Sequence, residues 1–158
     1  MADVAERVDV RPLRPEDLAG VVRIDTHLTG EEKPDYWRRT FREFLQPPVE
    51  PLRIGLAADR DGELAGYLLG EVRAFEFGSE ACGWIFSVAV APSSSRSGVA
   101  TSLLEEACQR FRDAGVSHVR TMVLRNDVPV LSFFRSNRFR GGSFVQLERA
   151  LDGSEVNQ

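Results

Sequence analysis

Residues 81–92, ACGWIFSVAVAP, form an apolar run with almost no polar alternation. A run of this kind reads as a strand buried on both faces. Val99, Leu103, Leu104, Ala107 and Phe111 then recur at helical spacing from about Gly98 to Ala114, and Gly115 marks the stop. HVRTMVL, residues 118–124, is a second strand. Strand, helix and strand in immediate succession form a β-α-β unit. Its two strands are therefore expected to run parallel in one sheet, joined by a right-handed crossover.

The rest of the chain adds antiparallel pieces. VDVRPLR (8–14) alternates like a half-buried strand. Pro15, Glu16 and Asp17 open a helix, with Leu18, Val21, Val22 and Leu28 as its apolar stripe. DYWRRTFREFL (35–45) predicts a second helix, with Trp37, Phe41, Phe44 and Leu45 on one side. Residues 54–75 read as a hairpin turning at Asp61-Gly62. PVLSFFRSN (129–137) predicts a short helix, and RFRGGSFVQLERAL (138–151) two further strands near Gly141-Gly142. The order β-α-α-β-β-β-α-β-α-β-β, without internal repeat or linker, predicts a single α/β domain over residues 1–158. Its core covers 8–151 and is followed by a frayed tail at 152–158.

Composition narrows the function classes. The net charge of -4 argues against a nucleic-acid partner, which needs a clustered basic excess. Arginines 38, 39 and 42, and 135, 138 and 140, cluster locally, as solvated helix faces and loop edges do. Two cysteines, Cys82 and Cys108, make no disulfide framework and read as small hydrophobes. His, Cys and acid spacings match no metal site. No signal segment or membrane span is visible, so a soluble cytoplasmic protein is the expectation.

The link between the first buried strand and its helix is unusual. PSSSRSGVAT (92–101) carries serines at 93, 94, 95 and 97, one cation at Arg96, and Gly98 and Ala100 two apart at the helix mouth. A helix N-terminus presents free N–H groups and partial positive charge, and a glycine there lets an anion approach closely. The loop also follows the carboxyl end of a central strand, where open α/β sheets hold ligands.

With V-x-P before this loop and an aromatic pair five residues before Arg138-Phe139, the layout over residues 8–151 resembles the GNAT superfamily of N-acetyltransferases. That resemblance implies a mixed, mostly antiparallel twisted sheet of about seven strands, with helices on both faces and a central parallel β-α-β unit. The family's pyrophosphate loop, roughly Q/R-x-x-G-x-G/A, falls on Ser95, Arg96, Ser97, Gly98, Val99 and Ala100. Serine stands at the first position, and Arg96 is the nearby cation. The resemblance implies acetyl-CoA as donor. It also implies that the backbone of Val88, Ala89 and Val90 pairs with the pantetheine arm, and that the loop from Ser95 to Thr101 wraps the pyrophosphate.

DVPVLSFFRSNRF (127–139) follows the spacing of a second family landmark, N-x-x-A-x-x-L-Y-x-x-x-G-F, with substitutions. Asp127 takes the asparagine position, with Asn126 beside it, and Phe134 replaces the tyrosine that often protonates the departing thiolate. Phenylalanine has no proton to give. Phe134 is instead expected to pack against the pantetheine arm or within the core.

An amine acceptor must lose a proton before attacking a thioester, which calls for a base. The strand before V-x-P lacks the glutamate that family members often carry there. Glu71, Glu80, Asp127 and His27 are the candidate bases. Tyr36, Trp37 and Tyr67 are candidate lining residues for the acceptor, whose wall in the family is the first helical loop and second helix. The leading expectation is an acetyl-CoA-dependent N-acetyltransferase acting on a primary amine of a small molecule or peptide; relatives are commonly homodimers. The alternative is a CoA-binding module with little turnover. A mononucleotide loop of the G-x-x-x-x-G-K-[ST] or G-x-G-x-x-G kind is not present.

Overall fold

A computed structural model describes residues 8–47, 52–74 and 76–154. These residues fall into two compact units, one ending at Met122 and the other beginning at Val123. The first holds β1 (Asp9–Pro12), α1 (Leu18–Thr29), α2 (Pro34–Phe44), β2 (Arg53–Arg60), β3 (Glu63–Arg73), β4 (Cys82–Val90), α3 (Val99–Asp113) and β5 (Val119–Thr121); the second holds α4 (Val128–Ser136). The sheet order is β1-β2-β3-β4-β5. Neighbours from β1 to β4 are antiparallel, and β4 with β5 is parallel, as the β-α-β reading requires.

The hairpin between β2 and β3 turns where the sequence placed it. Asp61 and Gly62 both take positive φ, 55° and 81°, which suits the twist of a two-residue hairpin loop. The Gly62 N–H donates to Asp59 Oδ1 at 3.0 Å and holds the turn.

Strand alternation sorts the two faces. Tyr67 and Leu69 of β3 join Leu13, Val21, Ile24, Trp37 and Phe41 in a core under α1 and α2. On the opposite face a Cβ added to Gly66 or Gly70 would point at Val99 and Leu103, or at Phe111, all from α3. Helices therefore cover both faces of the sheet. Phe111 lies so close to the sheet that a Cβ on Gly83 would sit 2.8 Å from its ring.

Two sequence expectations need correction. Among the described residues the sheet has five strands rather than about seven, because residues 138–154 carry no strand. Phe144, Val145, Leu147 and Leu151 have the residue types of strands but are exposed. β-propensity reflects packing against neighbours, so without a ladder partner it forms no strand. The buried stripe of α1 also differs: Leu28 is exposed, whereas Gly20, Val21, Ile24 and Asp25 are buried. Among the described residues, no helix is long and apolar enough to cross a membrane.

Asp17 ties β1 to the start of α1. Its carboxylate accepts from both terminal nitrogens of Arg11, at 2.8 and 2.9 Å, and from the Arg14 N–H at 2.7 Å. Burial pushes its pKa up, but these hydrogen bonds outweigh burial and hold it below the usual carboxylate value. A depressed folded-state pKa adds stability above the unfolded value and loses it as pH falls through the folded one. Asp17→Asn is therefore expected to cost about 2–3 kcal/mol at neutral pH. The deficit relative to wild type is expected to shrink once pH drops below about 3.9. Urea titrations from neutral to acid pH check both halves.

Candidate functional site

The central strand is interrupted. Leu69 pairs with Ser87, but the next residue of β3, Gly70, pairs with Ile85, leaving Phe86 as an extra residue. Such a bulge bends the strand and sharpens its twist. Ser87 pairs with Leu69, a residue of the α1–α2 core, and the Phe86 ring meets Phe44 of α2 edge-on at 5.7 Å. The bulge thus places two consecutive side chains on the α1–α2 face.

Pairing between β4 and β5 ends at the same point. It runs from Gly83↔Val119 to Ile85↔Thr121, where the Thr121 hydroxyl donates to the Ile85 carbonyl at 2.9 Å. Beyond the bulge, among the described residues, Val88, Ala89 and Val90 have a strand partner only on the β3 side. Their outer edge offers backbone donors and acceptors in strand geometry, as extended ligands require.

At the carboxyl end of that edge lies the serine loop. Arg96 and Gly98, on either side of Ser97, both adopt left-handed φ, 60° and 81°. Backbone turns of this kind gather N–H groups into concave anion sites. Gly98 is the N-cap of α3 and no side chain caps the helix, so the first amides stay available. The Ser97 hydroxyl instead donates to the Ser94 carbonyl, and Ser102 Oγ donates to the Gly98 carbonyl. A Cβ on Gly98 would meet nothing within 4 Å, so the space beside this residue is open. Arg96 and Ser95 are exposed, and Val99 is buried under the helix. This corner suits a diphosphate, and the open strand edge suits an amide-bearing arm.

Sequence reasoning missed a cluster on the α1–α2 face. Asp25 of α1 is only 8 % exposed. Its Oδ2 accepts from Trp37 Nε1 at 2.9 Å and pairs with Lys33 Nζ at 3.1 Å. Trp37 meets Tyr36 and Tyr67 edge-on, with ring centres 5.1 and 5.3 Å away. The three proposed lining aromatics therefore do come together. Burial pushes the Tyr67 phenol up to about 12; a hydrogen bond with Ser87 opposes the shift and the Asp25 charge adds to it. Tyr67 thus stays a neutral donor at physiological pH. The available signal was spacing: Asp25 falls at the helical repeat of Leu18, Val21 and Val22, where an apolar residue is expected.

The candidate bases lie on different elements. Glu71 of β3 is held by Arg73 Nε at 3.0 Å and Arg53 Nε at 4.0 Å, so its oxygens are engaged. Glu80 is exposed just before β4, at the end remote from Val90. His27 is exposed on the last turn of α1. In the second unit, Asp127 caps α4 by accepting the Val130 N–H at 3.2 Å, and Asn126 is exposed beside it. Phe134 is buried between the rings of Phe133 and Phe139, at 5.1 and 5.0 Å. A cleft of about 610 Å³ runs along the outer flank of α1, lined by Leu18, Ala19, Val22, Thr26, Pro34 and Arg38 among others. None of the residues assigned to the coenzyme lines it.

Solved structures share this fold at low identity. The aminoglycoside N-acetyltransferase AAC(6')-Iy, in complex with CoA, is 17% identical with a TM-score of 0.79, covering 92% of this chain and 95% of that one. A transcriptional regulator from Bacillus halodurans C-125 is 17% identical with a TM-score of 0.78, covering 92% and 100%. The 6'-N-acetyltransferase AAC(6')-Ih from Acinetobacter baumannii is 14% identical with a TM-score of 0.74, covering 92% and 99%. No curated protein sequence matches. The sequence model of the Acetyltransferase (GNAT) family matches residues 18–139, which takes in the half-paired central strand and the serine loop. The chain therefore belongs to the acetyltransferase (GNAT) family.

Proposed function

We propose that the protein is an acetyl-CoA-dependent N-acetyltransferase whose acceptor is a primary amine of a small molecule. The observation that carries this reading is the half-paired β4 leading into the uncapped, glycine-mouthed start of α3. Val88 to Val90 hold the pantetheine arm through backbone groups, and Ser95 to Thr101 with Arg96 hold the diphosphate. Acetyl-CoA supplies an acetyl thioester: a nitrogen–carbon bond forms, the carbon–sulfur bond breaks, and the amine proton is lost while the sulfur leaves as thiol. Backbone N–H groups near the bulge at Phe86 polarise the carbonyl. Small amines are favoured as acceptors because aminoglycoside acetyltransferases share the fold.

Phe134 cannot protonate the sulfur, and Tyr67 is the buried phenol on the first unit that keeps its proton. The loss of the usual tyrosine is what favours a second reading, a CoA-binding module without turnover. Thiol release from acetyl-CoA, followed with a thiol-reactive dye over a panel of small amines, separates the two. Acceptor-dependent release, with one acetyl group gained by the amine in its mass spectrum, is the expected result. Saturable CoA binding with no release above the blank on any acceptor would leave the module.

A further inference from the structure

We infer that Asp25 is the ammonium-binding group of the acceptor site, and that Lys33 occupies it as an internal stand-in until a cationic acceptor displaces it. This rests on the transferase reading above and adds the acceptor's chemical class, an alkylammonium compound.

Asp25 carries a charge in a nearly closed position, which is costly unless partnered. One partner is rigid: Trp37 Nε1, at 2.9 Å, comes from a fully packed side chain. The other is not. Lys33 precedes α2, follows three exposed residues, and keeps its side chain one-third exposed. Its ammonium reaches Oδ2 at 3.1 Å and Oδ1 at 3.4 Å, covering the carboxylate from the solvent side. An ionised carboxylate accepts about four hydrogen bonds, so the two donor groups leave capacity for a third. An incoming alkylammonium has the same charge and donors as Lys33 Nζ and can replace it one for one.

One ring near the carboxylate is open to such a guest: Tyr36 is exposed and meets Trp37 edge-on, and an exposed aromatic face attracts organic cations, while Trp37 and Tyr67 stay packed in the core. Position supports the same assignment. Tyr67 pairs with Ala89 of β4, and Ser87 sits on the same face just past the bulge where the sheet opens. A cation held at Asp25 lies on the face of the sheet where the coenzyme arm would end.

Two substitutions and one spectrum test this, with neamine and spermidine as probe amines. Lys33→Met removes the competitor and keeps the aliphatic stem. It is expected to lower the amine KM by about threefold or more, because an occluded site binds in proportion to its free fraction. Asp25→Asn keeps an acceptor for Trp37 and removes the charge. It is expected to raise the amine KM by about tenfold or more, with the acetyl-CoA KM unchanged in both variants. A merely structural ion pair predicts the opposite sign for Lys33→Met, because it would leave a buried charge unpaired. An unchanged or raised KM in Lys33→Met, or an unchanged one in Asp25→Asn, overturns the assignment.

The indole N–H resonance of Trp37 gives a readout without turnover. It is expected to shift saturably when either amine is added, and not to shift in Asp25→Asn. A static resonance with both amines overturns the site. A moving resonance without acetyl transfer leaves the site standing and removes the transferase reading. Transfer with both variants indifferent does the reverse.

Discussion

Gly98→Trp is expected to abolish coenzyme A binding while the protein stays folded. Gly98 sits at φ 81°, and a side chain there would project into open space rather than into the core. Fold stability therefore loses only the cost of a left-handed non-glycine residue, about 1–2 kcal/mol. Coenzyme binding loses far more. An indole over the helix mouth excludes the diphosphate from the amides of α3, and each hydrogen bond to a charged group is worth about 1.5–3 kcal/mol. Two lost bonds amount to a factor of about 100 or more in Kd. Gly98→Ala is the control, with the same backbone strain and little bulk, and only a few-fold loss is expected of it. Titration calorimetry with CoA and a thermal melt of both variants provide the check. Unchanged affinity in Gly98→Trp would remove the serine loop from the coenzyme site.

A large stability effect is expected at Gly83. A Cβ there would stand 2.8 Å from Cγ and Cδ1 of Phe111 and 2.9 Å from Cδ2, well inside contact distance. Phe111 is fully buried on α3, and Gly70 also approaches its ring, with a built Cβ 3.0 Å from Cζ. The ring is fully buried between α3 and the sheet and approaches two glycines of the sheet. Gly83→Ala is expected to cost about 3 kcal/mol, the upper range for overpacking. In a chain of this size that lowers Tm by roughly 6–12 °C. Phe111→Ala alone is expected to cost about 3–5 kcal/mol through the cavity it leaves. The double variant is expected to fall short of the sum by about 1–3 kcal/mol, because the added methyl partly fills the space vacated by the ring. Strict additivity in urea melts would show that the two positions do not touch.

The β-α-β unit was legible because two strong signals agree there: an unbroken apolar strand and a 3.6-residue repeat from Val99 to Phe111. The Asp61-Gly62 turn was legible because its residues fit left-handed geometry. The glycine at the mouth of α3 was legible in the loop composition, although the left-handed φ of Arg96 before it was not. The bulge at Phe86 was hidden, because SVAV reads as a continuous strand and an extra residue leaves no mark in an apolar run. Asp25 was passed over as one acid among many, since burial of a charge depends on the partner that arrives from another helix. The strands expected over 138–151 show the opposite failure: residue types fit, but strand formation depends on a ladder that local sequence does not encode.

The extra residue at Phe86 divides β4 into two stretches with different duties. Cys82 to Ile85, bonded on both sides from Gly83 onward, belongs to the scaffold, and substitutions there bear on whether the chain holds together. Ser87 to Val90, paired with β3 alone among the described residues, is the stretch proposed to hold the coenzyme arm through its backbone, although Ala89 also packs in the α1–α2 core. On that reading, affinity for that arm can be tuned at half-buried Val88 and Val90 with less effect on the architecture than at Ala89, which belongs to the core.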